Sequence, residues 1–435
     1  MSYGEARAYL DSLGVDSMKS LIPSLHRMEA FMEALGHPEQ AITAIHVTGT
    51  NGKTSTARIA SSVLRAAGLK VATYTSPHLQ GVRERLALGG APLPEDEFGA
   101  VFDHIRPYID FVEKEIEERL SYFEVLTGMF FLWAADAADV AVVEVGLGGR
   151  WDATNVLTNV PVAVITNIDL DHVAMLGRER TTIAKEKSGI IKHGTTVVTG
   201  ELDPEILDVI DVEAQARAAP VAKIERDFRI LDNTLAVGGR YLSLRTSGRD
   251  YEGLFLPLHG VHQARNAAVA LEAAVTLLPD ESLAEEVVQE GFAEVAVPGR
   301  LEVLRPEDED APPVVLDVAH NPTGMAAAVT SLTEAMPFDR AIVVIGILDD
   351  KDHRGMLAEL ARMPCTLIAT EARNVRSVAP GEIEAVAGEV GLSCHVIPQI
   401  PAAVSAAVEE AGADDLVLVT GSHYVVGEAR TFLTS

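Results

Sequence analysis

The sequence predicts an α/β fold in two domains. Residues 1–297 form a larger N-terminal domain around a mostly parallel sheet, and residues 298–435 a smaller Rossmann-like α/β C-terminal domain. Three observations predict it. Short apolar runs alternate with helical patterns along most of the chain, as strand–helix layering requires. The alternation starts afresh just beyond Val297-Pro298-Gly299, a turn-forming stretch that reads as a linker. The chain, at 435 residues, is about two to three times a typical domain, and its 48% hydrophobic residues can fill two cores.

The elements follow in order. Ala44–Val47 reads as a strand, then comes a Gly-containing turn, then a helix over Thr54–Ala67 with Ile59, Val63 and Ala67 on one face and Gly68 as its stop. Lys70–Tyr74, Val140–Val145 and Val162–Ile165 are apolar runs of strand length, and Arg178–Ser188 reads as a helix ended by Gly189. Over Phe228–Leu258 residues alternate in character around Gly238-Gly239 and Ser247-Gly248, which predicts a small antiparallel β insertion. Val261–Leu278 is an Ala-rich helix pattern. Beyond the linker, Val314–Val318, Ala341–Gly346, Thr366–Ala369 and Leu416–Thr420 are strand candidates with helices between them, and the acidic run Glu307–Asp310 reads as a solvated loop.

Charge and composition exclude several functions. A formal net charge of −29 repels nucleic acid and anionic lipid, so neither is an expected partner. The most apolar stretch, Met129–Val145, is interrupted by Asp136, Asp139 and Glu144 too soon for a membrane span. The first residues lack the basic-then-apolar pattern of a signal peptide, and two cysteines, Cys365 and Cys394, make no disulfide framework. A soluble, cytoplasmic protein is the expectation, with both cysteines as small core residues.

The chemistry begins at Gly49-Thr50-Asn51-Gly52-Lys53-Thr54-Ser55, set between a strand and a helix. Glycines let backbone N–H groups turn inward around phosphate oxygens, and the helix N-terminus adds partial positive charge. Lys53 can reach the β and γ phosphates, and the Thr54 hydroxyl can meet a magnesium ion. The usual eight-residue spacing needs Gly where Val47 stands, so this is a shorter variant of the phosphate-binding loop. The N-terminal domain is therefore expected to be P-loop NTPase-like.

Three further features fit that site. Glu144 is the sole charge in its strand run and is followed by Gly146-Leu-Gly-Gly149, which places a carboxylate at the strand edge where parallel sheets bind ligands. A strand-end acid facing water is the competing reading. Asn167-Ile-Asp169-Leu-Asp171-His172 also follows a strand, and its carboxylates and imidazole could ligate magnesium or manganese. Lys187 lies in a helical pattern, where a solvated lysine is the plain alternative.

These residues resemble the folylpolyglutamate synthase/dihydrofolate synthase family of the Mur ligase superfamily. The resemblance runs through the Gly49–Ser55 loop, Tyr74-Thr-Ser-Pro-His-Leu79, Phe123-Glu124, Glu144–Asn155, Leu170-Asp-His172 and Glu186–Lys192. It continues through His262-Gln-Ala-Arg-Asn266, Pro298-Gly-Arg300 and Asp317-Val-Ala-His-Asn321. Leu21–Leu35 resembles the short amphipathic helical region that opens folate ligases. The resemblance implies that Ser76 and Glu144 hold the magnesium bridging the ATP phosphates. Glu144 and His172 would share a second magnesium with a carbamylated Lys187. It implies that Asn266, Arg300, Asp317 and His320 take ATP, with His320 joining Lys53, His172 and Lys187 in the catalytic set. Phe123, Arg150 and Asp152 would line the pteridine side of a folate pocket. Many members have Gly after the P-loop lysine, whereas Thr54 stands here as in the peptidoglycan ligases, so Thr54 or Ser76 is open as the first magnesium ligand.

The activity implied is ATP-dependent addition of L-glutamate to dihydropteroate, to folates, or to both, through an acyl phosphate. Arg150-Trp-Asp-Ala-Thr-Asn155 looks closer to the bifunctional version, and family members are expected to act as monomers. Two rivals are a peptidoglycan-type Mur ligase and a P-loop kinase or ATPase. The 48 residues before Gly49 are expected to be too few for the extra UDP-sugar domain of the first. The loops Gly346–Asp352 and Ser422-His423 each follow a strand and stand equally well as surface turns or as parts of the cleft.

Overall fold

The computed structural model of the chain describes residues 2–14, 24–278, 283–304 and 312–435. The Glu307–Asp310 run and residues 21–23 of the Leu21–Leu35 stretch lie outside the described residues.

β1 (Ala44–Thr48), β2 (Val71–Tyr74), β3 (Leu86–Leu88), β4 (Ala91–Pro92), β5 (Val140–Glu144), β6 (Val162–Ile165), β7 (Thr196–Thr199) and β8 (Val221–Lys223) form one sheet in the order β4-β3-β2-β5-β1-β6-β7-β8. Neighbours from β2 across to β8 are parallel, and β3 and β4 add an antiparallel edge. β1, β5 and β6 are buried along their whole length, which explains why they read as continuous apolar runs without alternation. The register sets Val47 beside Glu144, Thr48 beside Ile165 and Tyr74 beside Val143. The residues that follow β1, β2, β5 and β6 therefore leave the sheet at one carboxyl edge.

The helix after β1 runs Lys53–Ala66, one residue earlier at each end than the Thr54–Ala67 pattern. It is buried on more than its sheet face. The helix Glu285–Ala293 packs on it so closely that a Cβ at Gly291 would stand 2.7 Å from Val63 Cα. Met129–Val145 resolves into the second half of the helix Tyr122–Ala137 followed by β5. Ser121 and Glu124 start that helix with reciprocal capping bonds, and its Phe130 and Phe131 share a core with Phe31, Phe98 and Phe102. Among the described residues no helix is long and apolar enough to cross a membrane.

The predicted insertion is a three-stranded sheet of β9 (Arg229–Ala236), β10 (Gly239–Arg245) and β11 (Asp250–Leu256), ordered β11-β10-β9. The last sheet contains β12 (Glu302–Leu304), β13 (Val314–Leu316), β14 (Ala341–Ile345), β15 (Cys365–Glu371), β16 (Ser393–Gln399) and β17 (Leu416–Thr420), in the order β12-β13-β17-β14-β15-β16. All its pairs are parallel except β12 with β13. Its core holds Val343, Leu367 and Leu418 with Met356 and Leu360.

The chain separates into two compact units. One comprises Met1–Asp232, Leu242–Phe255 and Arg265–Val295; the other comprises Asn233–Tyr241, Leu256–Ala264 and Ala296–Ser435. The insertion and the helix Val261–Leu277 thus each contribute chain to both units.

Candidate active site

The turn after β1 has a conformation that its sequence makes necessary. Gly49 has φ +147° and Gly52 φ +82°, and a Cβ at Gly49 would fall 1.8 Å from Thr166 Oγ1. A Cβ at Gly52 would fall 2.3 Å from Asn266 Oδ1, so the helix Val261–Leu277 brings the Asn266 amide against the loop. The segment after β6 holds the loop from the other side. Thr50 N donates to Asn167 O at 2.9 Å, Asn51 N to Asn167 Oδ1 at 2.9 Å, and Thr166 Oγ1 to Asn51 O at 2.7 Å. Thr50 Oγ1 accepts from Asp169 N at 2.9 Å. Ser55, inside the first helical turn, is buried.

Thr54 Oγ1 lies 3.0 and 3.1 Å from the two carboxylate oxygens of Glu144 and donates to that carboxylate. Glu144 is 1% exposed at the end of β5, and Ser76 N donates to its Oε2 at 3.1 Å. The strand register explains the meeting, because β2 and β1 flank β5. Hydroxyl and carboxylate oxygens are the hard donors that magnesium takes, so Thr54, Ser76 and Glu144 fit that ion chemically.

Lys53 Nζ donates to Gly49 O and to Thr50 O, both at 3.1 Å. Lys187, buried at the end of the helix Arg180–Lys187, donates to the same Gly49 carbonyl at 2.8 Å. Burial, reinforced by the nearby Lys53 charge, lowers the Lys187 amine to about 7. His172 has left-handed φ of 49°, and its Nε2 is 3.9 Å from Asp171 Oδ2. Among the described residues, no three or more His, Cys, Asp and Glu side chains are grouped so as to hold a metal. Thr54, Ser76 and Glu144 are thus drawn together, while Lys187 turns to the P-loop carbonyl and His172 toward Asp171.

A second group of side chains surrounds Gly146. A Cβ there would stand 3.3 Å from Asp152 Oδ2, 3.5 Å from Ser76 Oγ and 3.9 Å from Phe123 Cδ1. Asp152 caps the short 3-10 helix Ala153–Val156 and accepts from Leu147 N at 3.0 Å, Thr154 N at 3.0 Å and Thr154 Oγ1 at 2.5 Å. Burial pushes its carboxyl upward, and those hydrogen bonds oppose the shift. Phe123 and Tyr122 each lie about 5 Å from the buried Arg85 guanidinium, at 5.4 and 5.3 Å. Arg150 is committed elsewhere. Its Nη2 bonds Lys185 O at 3.3 Å and Glu213 Oε2 at 3.2 Å.

In the second unit, Asp317 accepts from Leu301 N at 3.0 Å and Ala319 N at 2.9 Å. This ties the stretch after Arg300 to the end of β13. Burial raises the Asp317 carboxyl, with Arg300 opposing the shift. His320 Nδ1 lies 2.9 Å from Val318 O and must carry the proton, since a carbonyl only accepts. Its ring is 5.4 Å from that of His423, centroid to centroid.

Sequence reading missed several supporting residues. Arg27 pairs with the buried Glu124 at 3.0 Å, and Glu201 accepts from Ile168 N at 2.7 Å, fixing the chain ahead of Asp169. Arg85 Nε meets His78 Nδ1 at 3.0 Å. A single arginine or glutamate, whether in a helix as Arg27 is or after a strand as Glu201 is, carries no signal of the distant partner it will meet. Glu124 and His78 stood within the stretches that carry the family resemblance, and the Ser121–Glu124 capping pattern adds the physical cue, because it marks where Glu124 must turn back.

Residues 47–274 match the Mur ligase middle domain family, and residues 299–423 match the Mur ligase glutamate ligase domain family. The chain is 38% identical to dihydrofolate synthase/folylpolyglutamate synthase of Mycobacterium tuberculosis, over 94% of this chain and 90% of that protein. It is 33% identical to the protein of the same name from Bacillus subtilis, over 99% and 98%. A solved Mycobacterium tuberculosis folylpolyglutamate synthase complexed with ADP superposes with a TM-score of 0.93 at 36% identity, covering 100% of this chain and 98% of that one.

Proposed function

The chain belongs to the dihydrofolate synthase/folylpolyglutamate synthase family of Mur ligases, and from that premise we propose that it joins L-glutamate to dihydropteroate and to reduced folates at the expense of ATP. The observation that carries this reading is the convergence at one sheet edge of a phosphate loop, the Thr54–Glu144 oxygen pair, and the Ser76–Asp152–Phe123 surround of Gly146.

Joining a carboxylate to an amine in water is uphill, so the acid is activated first. A substrate carboxylate oxygen attacks the γ-phosphorus of ATP, the bond to the ADP oxygen breaks, and an acyl phosphate forms. The amine of L-glutamate then attacks the acyl carbon; phosphate leaves, the amine loses a proton, and the amide remains. Phosphoryl transfer of this kind depends mainly on positioning and charge neutralisation. The Gly49–Ser55 amides and Lys53 hold the β and γ phosphates and Asn266 borders the loop; on the second unit, the family resemblance gives Arg300, Asp317 and His320 as nucleotide contacts. Thr54 or Ser76 with Glu144 would hold one magnesium, and Glu144, His172 and carbamylated Lys187 a second. Those ions, when bound, neutralise phosphate charge and polarise the phosphoryl oxygens.

Two amines on one carbonyl support the carbamylation. Lys53 and Lys187 both donate to Gly49 O, and a buried Lys187 lowered to about 7 presents a free amine near neutral pH. That amine adds to carbon dioxide, and the carbamate that results once a proton leaves exchanges a buried cation for an anionic oxygen donor. Phe123 and Asp152 form the pteridine side of the acid's pocket. We read the enzyme as monomeric, cytoplasmic and bifunctional.

The test is direct. Incubation with ATP, magnesium and L-glutamate, offering dihydropteroate or tetrahydrofolate, yields products heavier by one glutamyl residue from each acid, with ADP release dependent on both the acid and glutamate. Release of ADP without either co-substrate, at the same rate, identifies an ATPase and overturns the reading.

A further inference from the structure

His46 lies in the middle of β1, fully buried between Ile45 and Val47. Its Nε2 is 2.8 Å from Thr154 Oγ1, and Thr154 Oγ1 is 2.5 Å from Asp152 Oδ1. Its Nδ1 is buried with no hydrogen-bond partner among the described residues.

These contacts fix the direction of every proton. A contact of about 2.5–2.7 Å between a hydroxyl and a carboxyl oxygen marks an O–H donating to an ionised acceptor. The Thr154 proton therefore points at Asp152, and the Thr154 oxygen can only accept from His46. Nε2 of His46 then carries the ring proton and Nδ1 is a bare lone pair. The reverse arrangement would leave a buried N–H without a partner at Nδ1, which costs more than an unused acceptor and is rarer in proteins. Burial lowers the ring to about 3, so it stays neutral throughout the working pH range.

We propose that His46 is a positioning residue for the acid substrate: through Thr154 it orients the Asp152 carboxylate toward the space in front of Gly146. The inference rests on the reading above that Asp152 borders the pteridine. Bonds in such a chain polarise one another, so the His46 N–H strengthens the Thr154 hydroxyl as a donor and helps hold Asp152 ionised against its burial. A Val or Leu in β1 would fill the strand interior without an orphaned nitrogen. The imidazole also joins the strand that carries the phosphate loop to the wall of the acid pocket, since Gly49 follows β1 directly.

Histidine-selective 15N NMR of the full-length enzyme tests the tautomer, and kinetics test its consequence. His46 is expected to be protonated at Nε2. His46→Leu, which keeps an apolar filler, raises KM for dihydropteroate roughly tenfold, because the Asp152 carboxylate holds the acid less well once Thr154 loses the His46 N–H behind it. KM for ATP and kcat at saturation stay within about twofold. His46→Gln, which restores an amide N–H, recovers part of the loss. The double variant with Thr154→Val is no worse than Thr154→Val alone, because both break one chain. A ring protonated at Nδ1 overturns the proposal, as does an unchanged dihydropteroate KM in His46→Leu. If His46→Leu does not fold, the tautomer and the His46→Gln kinetics decide it. Asp152→Asn separates the two layers of the argument. A raised KM there with none in the His46 variants ends the relay alone, whereas an unchanged KM there ends the reading that Asp152 borders the substrate.

Discussion

Gly49 O accepts from two lysines at once, and that single carbonyl summarises the electrostatic problem at the loop. Both amines cannot remain cationic there at low cost, and it is the fully buried Lys187 that gives way. Lys53 stays partly exposed. Lys53→Ala is expected to lower kcat for ligation by about a hundredfold or more, on the scale of losing an oxyanion donor, with the far-UV spectrum intact. Near-normal ATP-dependent ligation by that variant removes Lys53 from its role. Gly49→Ala makes a sharper test of geometry. The new methyl group would meet Thr166 Oγ1 at 1.8 Å, so the loop must open and nucleotide affinity in a calorimetric titration falls below detection. Much at this scale was legible. Lys53, Thr54 and Glu144 could be singled out as candidates by position after a glycine turn or alone in an apolar strand, and the structure brings Thr54 onto Glu144. Arg150 was singled out for the pteridine side, but a motif places a residue in the chain without saying where a long side chain points, and its guanidinium is held by Glu213 on another helix.

At the level of elements, the helix Lys53–Ala66 joins the candidate site to the packing around it. Its N-terminus presents the loop, while its far face receives the helix Glu285–Ala293 at Gly291. Gly291→Ala is therefore expected to cost about 1–3 kcal/mol by overpacking against the Val63 backbone, read as a lower urea midpoint with an unchanged slope. An unshifted midpoint means the two helices can separate freely. The sequence showed this helix as amphipathic with one buried stripe, yet Ser55, Thr56, Ser61 and Ser62 are buried too. Small hydroxyl residues suit close helix contact but look polar in a hydropathy pattern, so the second packing face was invisible. Strand positions were easier. β1, β5 and β6 are buried on both faces, and such strands advertise themselves as unbroken apolar runs.

For the molecule as a whole, the formal net charge of −29 bears on substrates that are themselves anions. Long-range attraction does not recruit ATP, glutamate or a folate to such a surface, so local cations at the site must. Raising ionic strength from about 0.01 M to about 0.15 M shortens the screening length from about 30 to about 8 Å. Over that range KM for ATP and for the folate is expected to hold or fall, and a steep rise would show that surface charge assists capture. Removing magnesium with a chelator is expected to abolish ligation, with activity returning when the ion is restored. The sequence by itself determined the α/β layering, the four central strands of each α/β sheet and the glycine turn after β1, because buried strands read as apolar runs and glycines mark turns. The edge strands β3, β4, β7, β8, β12 and β16 gave no such run and were not foreseen. Only the tertiary structure decided that Thr54 and Ser76 meet on Glu144, that Lys187 reaches Gly49, and that His46 reaches Asp152 through Thr154. Those meetings depend on strand order and register, which bring together residues far apart in the chain and which no local pattern records.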